Sequence, residues 1–165
     1  MMRQLIVSIA KAEVGVREEP KDSNRGKRVQ EYQAATWLDG TGWPWCAAFV
    51  DWVLRDAIKL SGKEVKWKRP KTAGAWDLLN WAKEDSGGEA AGIVVYHGED
   101  VPVKAGDILV YKFSHCGIAV ANEQNGWVLA VEGNTDSTGG REGGGVHFQR
   151  RQTGKIRGMI RIEEV

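Results

Sequence analysis

Residues 43–60 read WPWCAAFVDWVLRDAIKL, and this stretch decides the fold. Its proline and tryptophans predict a loop, and the apolar residues that follow recur at helical spacing, so a helix is expected from Cys46 to Leu60. Cys46 would occupy the first turn, where unpaired backbone N–H groups and the helix dipole favour a thiolate and could bind an oxyanion. The alternative role for Cys46 is that of a small buried apolar residue, the usual fate of a free cysteine.

Helical spacing extends through the rest of the N-terminal half. Four helices are predicted there, with Gly15 ending the first and Thr72 capping the last. In the helix that begins at Cys46, Asp51 is predicted on the polar side, away from the apolar stripe. The predicted ranges are 5–14, 27–37, 46–60 and 73–83.

The C-terminal half changes to short β-branched segments separated by Gly, Asn and Asp turns, which predicts an antiparallel sheet. Helices followed by strands indicate an α+β fold, and the sequence between them contains no clear linker, so residues 1–165 are expected to form a single domain. The predicted strands cover residues 92–96, 107–111, 117–120, 127–131, 145–148 and 156–162.

His115 is the preferred partner for a reactive cysteine, because it opens a predicted strand and a base must reach the thiol. A structural histidine bonded to the backbone is the alternative. His97, in an exposed-looking turn, and His147, pointing away from the core, are weaker candidates. If paired residue numbers sum to about 247, Glu132 lies opposite His115 and on the same face, where it could orient the imidazole. A slip of one residue would move Glu132 to the other face.

Composition excludes several classes of protein. Lys and Arg number 23 against 22 Asp and Glu, so the net charge of +1 leaves no field for nucleic acid or an anionic membrane. Two cysteines provide neither a disulfide framework nor a structural zinc site. No apolar stretch is long enough to span a membrane, and residues 1–13 lack an export signal. We expect a monomer, made in the cytoplasm, that another machinery releases or delivers if it acts outside.

Four ordered motifs carry a family resemblance: WCAAFV at 45–50, AGDI at 105–108, HCGIAV at 115–120 and VEGNT at 131–135. Together they resemble the CHAP family of cysteine- and histidine-dependent amidohydrolases/peptidases. The lead-in segments EVGVRE at 13–18 and SNRG at 23–26 are similar to those of phage and prophage members. The resemblance covers about residues 5–151.

The resemblance implies a papain-like fold and cleavage of an amide bond in peptidoglycan, either as an N-acetylmuramoyl-alanine amidase or as an endopeptidase. It implies that Cys46 is the nucleophile, His115 the base and Glu132 its orienting acid, with Asn134 as a fourth polar member. Cys116, next to His115, is expected to face the opposite side and pack without a chemical role.

Other expectations concern ligands. Some family members bind calcium before the nucleophile, but this loop offers only Asp39 as a clear ligand, so no obligatory metal or cofactor is expected. Trp43 and Trp45 are predicted to contact substrate, whereas Trp37 is expected to pack in the core.

Three other functions remain open: a wall-binding or partner-binding module without activity, a cysteine-dependent acyltransferase, and a cytoplasmic protein whose substrate is not cell wall.

Overall fold

The computed structural model describes residues 1–164 as four helices followed by a six-stranded sheet. This confirms the predicted α+β class. The helices are α1 (Met2–Ala12), α2 (Lys27–Gln33), α3 (Cys46–Ser61) and α4 (Asp77–Asn80), and α4 continues as a π-helical turn over Trp81–Asp85. The strands are β1 (Ile93–His97), β2 (Ile108–Tyr111), β3 (Cys116–Ala119), β4 (Trp127–Thr135), β5 (Gly145–Gln152) and β6 (Ile156–Ile162).

All neighbouring strands are antiparallel, in the order β1-β6-β2-β3-β4-β5. Helix α3 packs against β3 and β4, and α1 and α2 pack against α3. The main core therefore lies between α3 and the sheet, and a smaller cluster around Tyr111 and Met159 covers the other sheet face. This arrangement brings the start of α3 close to the centre of the sheet.

Two predicted helices are shorter in the structure. Helix α2 ends at Gln33 instead of residue 37, and α4 begins at Asp77 instead of residue 73. Thr72 does not cap α4, because its hydroxyl donates to the carbonyl of Gly74. The indole of Trp76 donates to the Tyr111 carbonyl, a tertiary contact that local propensity does not reveal.

The register between β3 and β4 differs from the predicted one. Ile118 pairs with Val131 and Ala119 with Ala130, so the paired numbers sum to 249 instead of 247. Asn125 and Gly126 both adopt positive φ in a turn that Gln124 and Trp127 close, and the turn therefore lies later than predicted. A shift of two residues leaves every side chain on its predicted face.

Candidate active site

Cys46 is the first residue of α3, as predicted, and is 7% exposed. The preceding Trp45 is fixed by its indole, which donates to Glu18 Oε1 at 2.9 Å, and by stacking on Tyr32 at 5.5 Å. Because Cys46 is the first helical residue, the unpaired backbone N–H groups of the first turn lie beside its side chain. The helix therefore begins in a fixed place with its sulfur beside backbone donors, which stabilise a thiolate.

His115 is placed by the tight connection between β2 and β3. Ser114 adopts a φ of 58°, and the Tyr111 N–H donates to the His115 carbonyl at 2.8 Å. The imidazole is buried and stacks against Tyr111 and Phe113. Its Nε2 atom lies 2.9 Å from Glu132 Oε1. Its Nδ1 atom forms no conventional hydrogen bond with residues 1–164 and is the nitrogen left to serve Cys46.

Cys46 and His115 shift each other's proton affinity. A hydrogen bond from Cys116 lowers the pKa of Cys46, burial opposes it, and contact with His115 lowers it further, so the pKa lies well below the ordinary value. Burial lowers the pKa of His115, but hydrogen bonds and charges of Cys46 and Glu132 outweigh it and raise the pKa to about 9. Both shifts favour a thiolate–imidazolium pair at neutral pH.

Cys116 differs from its predicted role. As the alternation requires, its side chain faces the helical layer and is fully buried. That layer, however, contains the start of α3, so Cys116 lies beside Cys46, and each thiol shifts the pKa of the other. The prediction that Cys116 lies away from the chemistry is therefore wrong. Burial and the adjacent Cys46 raise the pKa of Cys116, so it is a thiol that donates to its neighbour.

Glu132 is fully buried within β4, opposite Gly117. Its carboxylate contacts His115 and accepts further hydrogen bonds. The Tyr111 hydroxyl donates to Oε2 at 2.7 Å, and Arg151 donates to both carboxylate oxygens. Burial alone would raise the pKa of Glu132, but the hydrogen bonds from Arg151 and His115 lower it. The carboxylate is therefore ionised and held against the imidazole.

Asn134, also within β4, is buried and adopts a φ of 56°. Its backbone carbonyl accepts the Gly143 N–H at 2.9 Å. Neither side-chain amide atom has a hydrogen-bond partner in the described part of the chain, so no hydrogen bond to His115 defines a role for it.

The tryptophans correct two expectations. Trp45 is fully buried, so it cannot line a substrate groove as predicted. Trp37 was expected in the core but is 71% exposed. Trp43 is half-buried and remains available at the surface. Asp51, predicted on the polar side of α3, is fully buried, since α1 and α2 cover faces of the helix that one amphipathic stripe does not reveal.

The competing histidines do not hydrogen-bond Glu132 as His115 does, although His147 pairs with Glu132 across β4 and β5. His97 is exposed at the end of β1, and His147 lies in a cleft with Arg17 and Asp136. Arg151 and Tyr111 are the site residues that sequence reasoning missed. Tyr111 was visible at the end of a predicted strand, but Arg151 lies beyond residue 148, where the predicted strand ended.

Among residues 1–164, no group of three or more His, Cys, Asp or Glu side chains is placed to hold a metal ion. Within the same range, no helix has both the length and the apolar character needed to cross a membrane.

Comparisons with known proteins bear on the fold and the family of this chain. A search of curated proteins finds no match. Among solved structures, the chain resembles a wild-type endolysin, LysIME-EF1, with a TM-score of 0.58 and 17% identity. The match covers 97% of this chain but 63% of the endolysin, so the likeness concerns the fold of one part of that protein. The model of the CHAP domain matches residues 38–134, which is 97 of 165 residues and includes Cys46, His115, Glu132 and Asn134. The chain therefore belongs to the CHAP domain family.

Proposed function

We propose that this protein is a peptidoglycan hydrolase that cleaves an amide bond, with Cys46 as nucleophile and His115 as general base and acid. One observation carries the proposal: Glu132 Oε1 lies 2.9 Å from Nε2 of the buried His115 imidazole, and Nδ1 is left without a hydrogen-bond partner among residues 1–164, next to a thiol at the start of α3. Nucleophile, base and orienting acid are the three parts that thiol-dependent amide hydrolysis requires.

The chemistry proceeds in two steps. The Cys46 thiolate attacks the amide carbonyl, while backbone N–H groups at the start of α3 stabilise the oxyanion. His115 gives its proton to the departing amine, leaving a thioester on Cys46. The neutral imidazole then takes a proton from water, which attacks the thioester, and this step releases a carboxylic acid and restores the Cys46 thiolate beside protonated His115.

The choice of substrate rests on the family and on the surface near the site. A cleft of about 530 Å³ lies beside the loop that supports Asn134 and is lined by both signs of charge, including Arg17, Asp22, Asp136 and Glu142. Its wall includes Glu18, which holds Trp45 next to the nucleophile. Mixed charges suit a peptide stem that carries carboxylates and amines, and Trp43 offers an apolar surface to the same substrate.

Release of soluble fragments from purified cell walls tests the proposal. Wild-type protein should release them, and Cys46→Ala and His115→Ala should each abolish release. His97→Ala is the matched control, because it removes an exposed histidine and should retain activity. Hydrolysis that survives loss of Cys46 would overturn the proposal, as would wall binding without cleavage.

The products identify the bond. Mass spectrometry of the digested muropeptides should show a free stem N-terminus and an intact glycan for an amidase, or a stem or cross-bridge cut for an endopeptidase. Adding a primary amine as acceptor separates hydrolysis from acyl transfer, since a transferase would incorporate the amine in place of water.

A further inference from the structure

The Glu132 carboxylate is engaged on all sides in the buried site. Its two oxygens accept hydrogen bonds from His115, Tyr111 and Arg151. Arg151 provides two of them, from Nε to Oε2 at 2.9 Å and from Nη2 to Oε1. This paired geometry fixes the plane of a carboxylate as well as its charge.

Arg151 is itself held in place. Its Nη2 atom also donates to the Gly139 carbonyl at 3.0 Å, which ties it to the loop between β4 and β5. Its guanidinium lies over the rings of Phe113 and Tyr111, at 5.0 and 5.3 Å from their centroids. The side chain is 13% exposed, so solvent screens its charge weakly. A guanidinium this constrained can orient what it binds.

We infer that Arg151 is a positioning residue of the active site, which keeps Glu132 ionised and keeps its Oε1 atom on the imidazole of His115. The inference rests on the proposed function. Arg151 does not touch Cys46; it acts through the carboxylate. A buried carboxylate without its cation takes up a proton, and a neutral acid no longer stabilises the imidazolium that pairs with the thiolate.

Several titratable or charged groups face Glu132 from the elements around it. Tyr111 comes from β2, His115 from the turn before β3, Cys116 from the start of β3, Arg151 from β5 and, beyond His115, Cys46 from α3. Burial and the charge of Glu132 raise the pKa of Tyr111, so it remains a neutral donor. Arg151 is thus the permanent cation on this carboxylate, and its removal has a defined electrostatic sign.

The test compares Arg151→Gln and Arg151→Lys with wild type. The matched control is Arg150→Gln, because Arg150 is the exposed neighbour whose guanidinium lies over Trp127 instead. Two rates are measured against pH: wall hydrolysis, and modification of Cys46 by a small alkylating reagent, with peptide mass spectrometry to assign the cysteine. Circular dichroism and thermal unfolding report the fold of each variant.

In Arg151→Gln, Glu132 should take a proton at higher pH, so the acidic limb of both profiles should move up by about one pH unit or more. Arg151→Lys should give a smaller shift, because it keeps the charge and loses the paired geometry. Arg150→Gln should match wild type. If Arg151→Gln fails to fold, the shift in Arg151→Lys decides.

Profiles for the Arg151 variants that superimpose on wild type, with only lower stability, would overturn the inference. The alkylation arm needs no peptidoglycan, so the two failures are distinguishable. A shifted alkylation profile in a protein that never cleaves cell wall would reject the proposed function and support the positioning role.

Discussion

Replacing Gly117 with alanine places a methyl group where the Glu132 side chain now lies. A Cβ atom at position 117 would stand 2.5 Å from Glu132 Cγ and 3.0 Å from the Val131 carbonyl oxygen. Gly117 has a backbone conformation open to any residue, so the substitution adds a steric clash without backbone strain. The variant therefore tests the position of Glu132 directly.

The geometry sets the size of the effect. The 2.5 Å contact is roughly 1 Å shorter than ordinary van der Waals contact, and Glu132 must move by about that amount or push β3 and β4 apart. Overpacking of this kind costs about 1–3 kcal/mol in the free energy of unfolding. A displacement of about 1 Å in a catalytic group lowers kcat/KM about 100-fold. Since Arg151 and Tyr111 hold the carboxylate through three hydrogen bonds, we expect its single contact with His115 to lengthen.

Wall hydrolysis and denaturant unfolding should be measured for Gly117→Ala beside two controls. Gly154→Ala adds the same methyl group with its nearest neighbour at 4.0 Å, so neither quantity should change. Gly158→Ala meets Leu79 Cδ2 at 2.9 Å, on a strand that β2 separates from β3, and should lose stability but keep activity once folded. A Gly117→Ala variant as active as Gly154→Ala would refute the placement of Glu132.

Three further predictions follow from charges and hydrogen bonds. Because the pKa of His115 is raised to about 9, its charged form persists at neutral pH and is lost as pH rises through that value; the alkaline limb of kcat/KM should lie near pH 9, and a limb near 7 would contradict the ion pair. Cys116→Ala removes the thiol that donates to Cys46, so the Cys46 pKa should rise and its alkylation below neutral pH should slow about tenfold; an unchanged rate would exclude the bond. Asp107 forms two buried hydrogen bonds with Arg161, at 2.9 and 2.7 Å, and Asp107→Ala should lower the free energy of unfolding by about 3–5 kcal/mol; a loss below about 1 kcal/mol would show that the pair is not structural.

The sequence predicted best where local pattern and tertiary structure agree. Helix α3 was expected over 46–60 and spans Cys46–Ser61, and β6 has its predicted bounds. The predicted start of α4 was wrong because the Trp76 and Trp81 indoles donate to distant carbonyls, those of Tyr111 and Lys68. These tertiary hydrogen bonds fix the chain around α4 independently of helix propensity. Long periodic segments need no such information.

Arg151 shows a different limit. Residues 149–152 read QRRQ and contain no apolar alternation, so no strand was predicted there. Strand β5 continues to Gln152 because it pairs with β4, and Gln152 pairs with Trp127 at the far end of the ladder. The Arg151 side chain reaches the site because β5 pairs with β4. Sequence alternation along β5 itself does not reveal it.

The strand face predicted for Cys116 was correct, but the expectation that this face lies away from Cys46 was wrong. Alternation places residues 115 and 116 on opposite faces of a strand, and the thiol does enter the helical layer. His115, however, precedes β3 and follows the left-handed Ser114, so its ring is not bound by the strand's alternation. Both residues reach Cys46, one from the strand and one from the turn before it. Which face a side chain takes depends on periodicity, but what covers that face depends on the packing of α3.

The active site contains a row of four buried charges, although the net charge of the whole chain is only +1. In the pairing favoured at neutral pH, the Cys46 thiolate, the His115 imidazolium, the Glu132 carboxylate and the Arg151 guanidinium follow one another with alternating sign. Each charge is desolvated, and each inner member has an opposite charge on both sides, so the row is tolerable in the core although any one member alone is not. Removing Arg151 leaves the other three with a net negative charge, which a proton on Glu132 most readily offsets. The reactivity of the Cys46 thiol therefore depends on the Arg151 guanidinium at the other end of the row, with His115 and Glu132 between them.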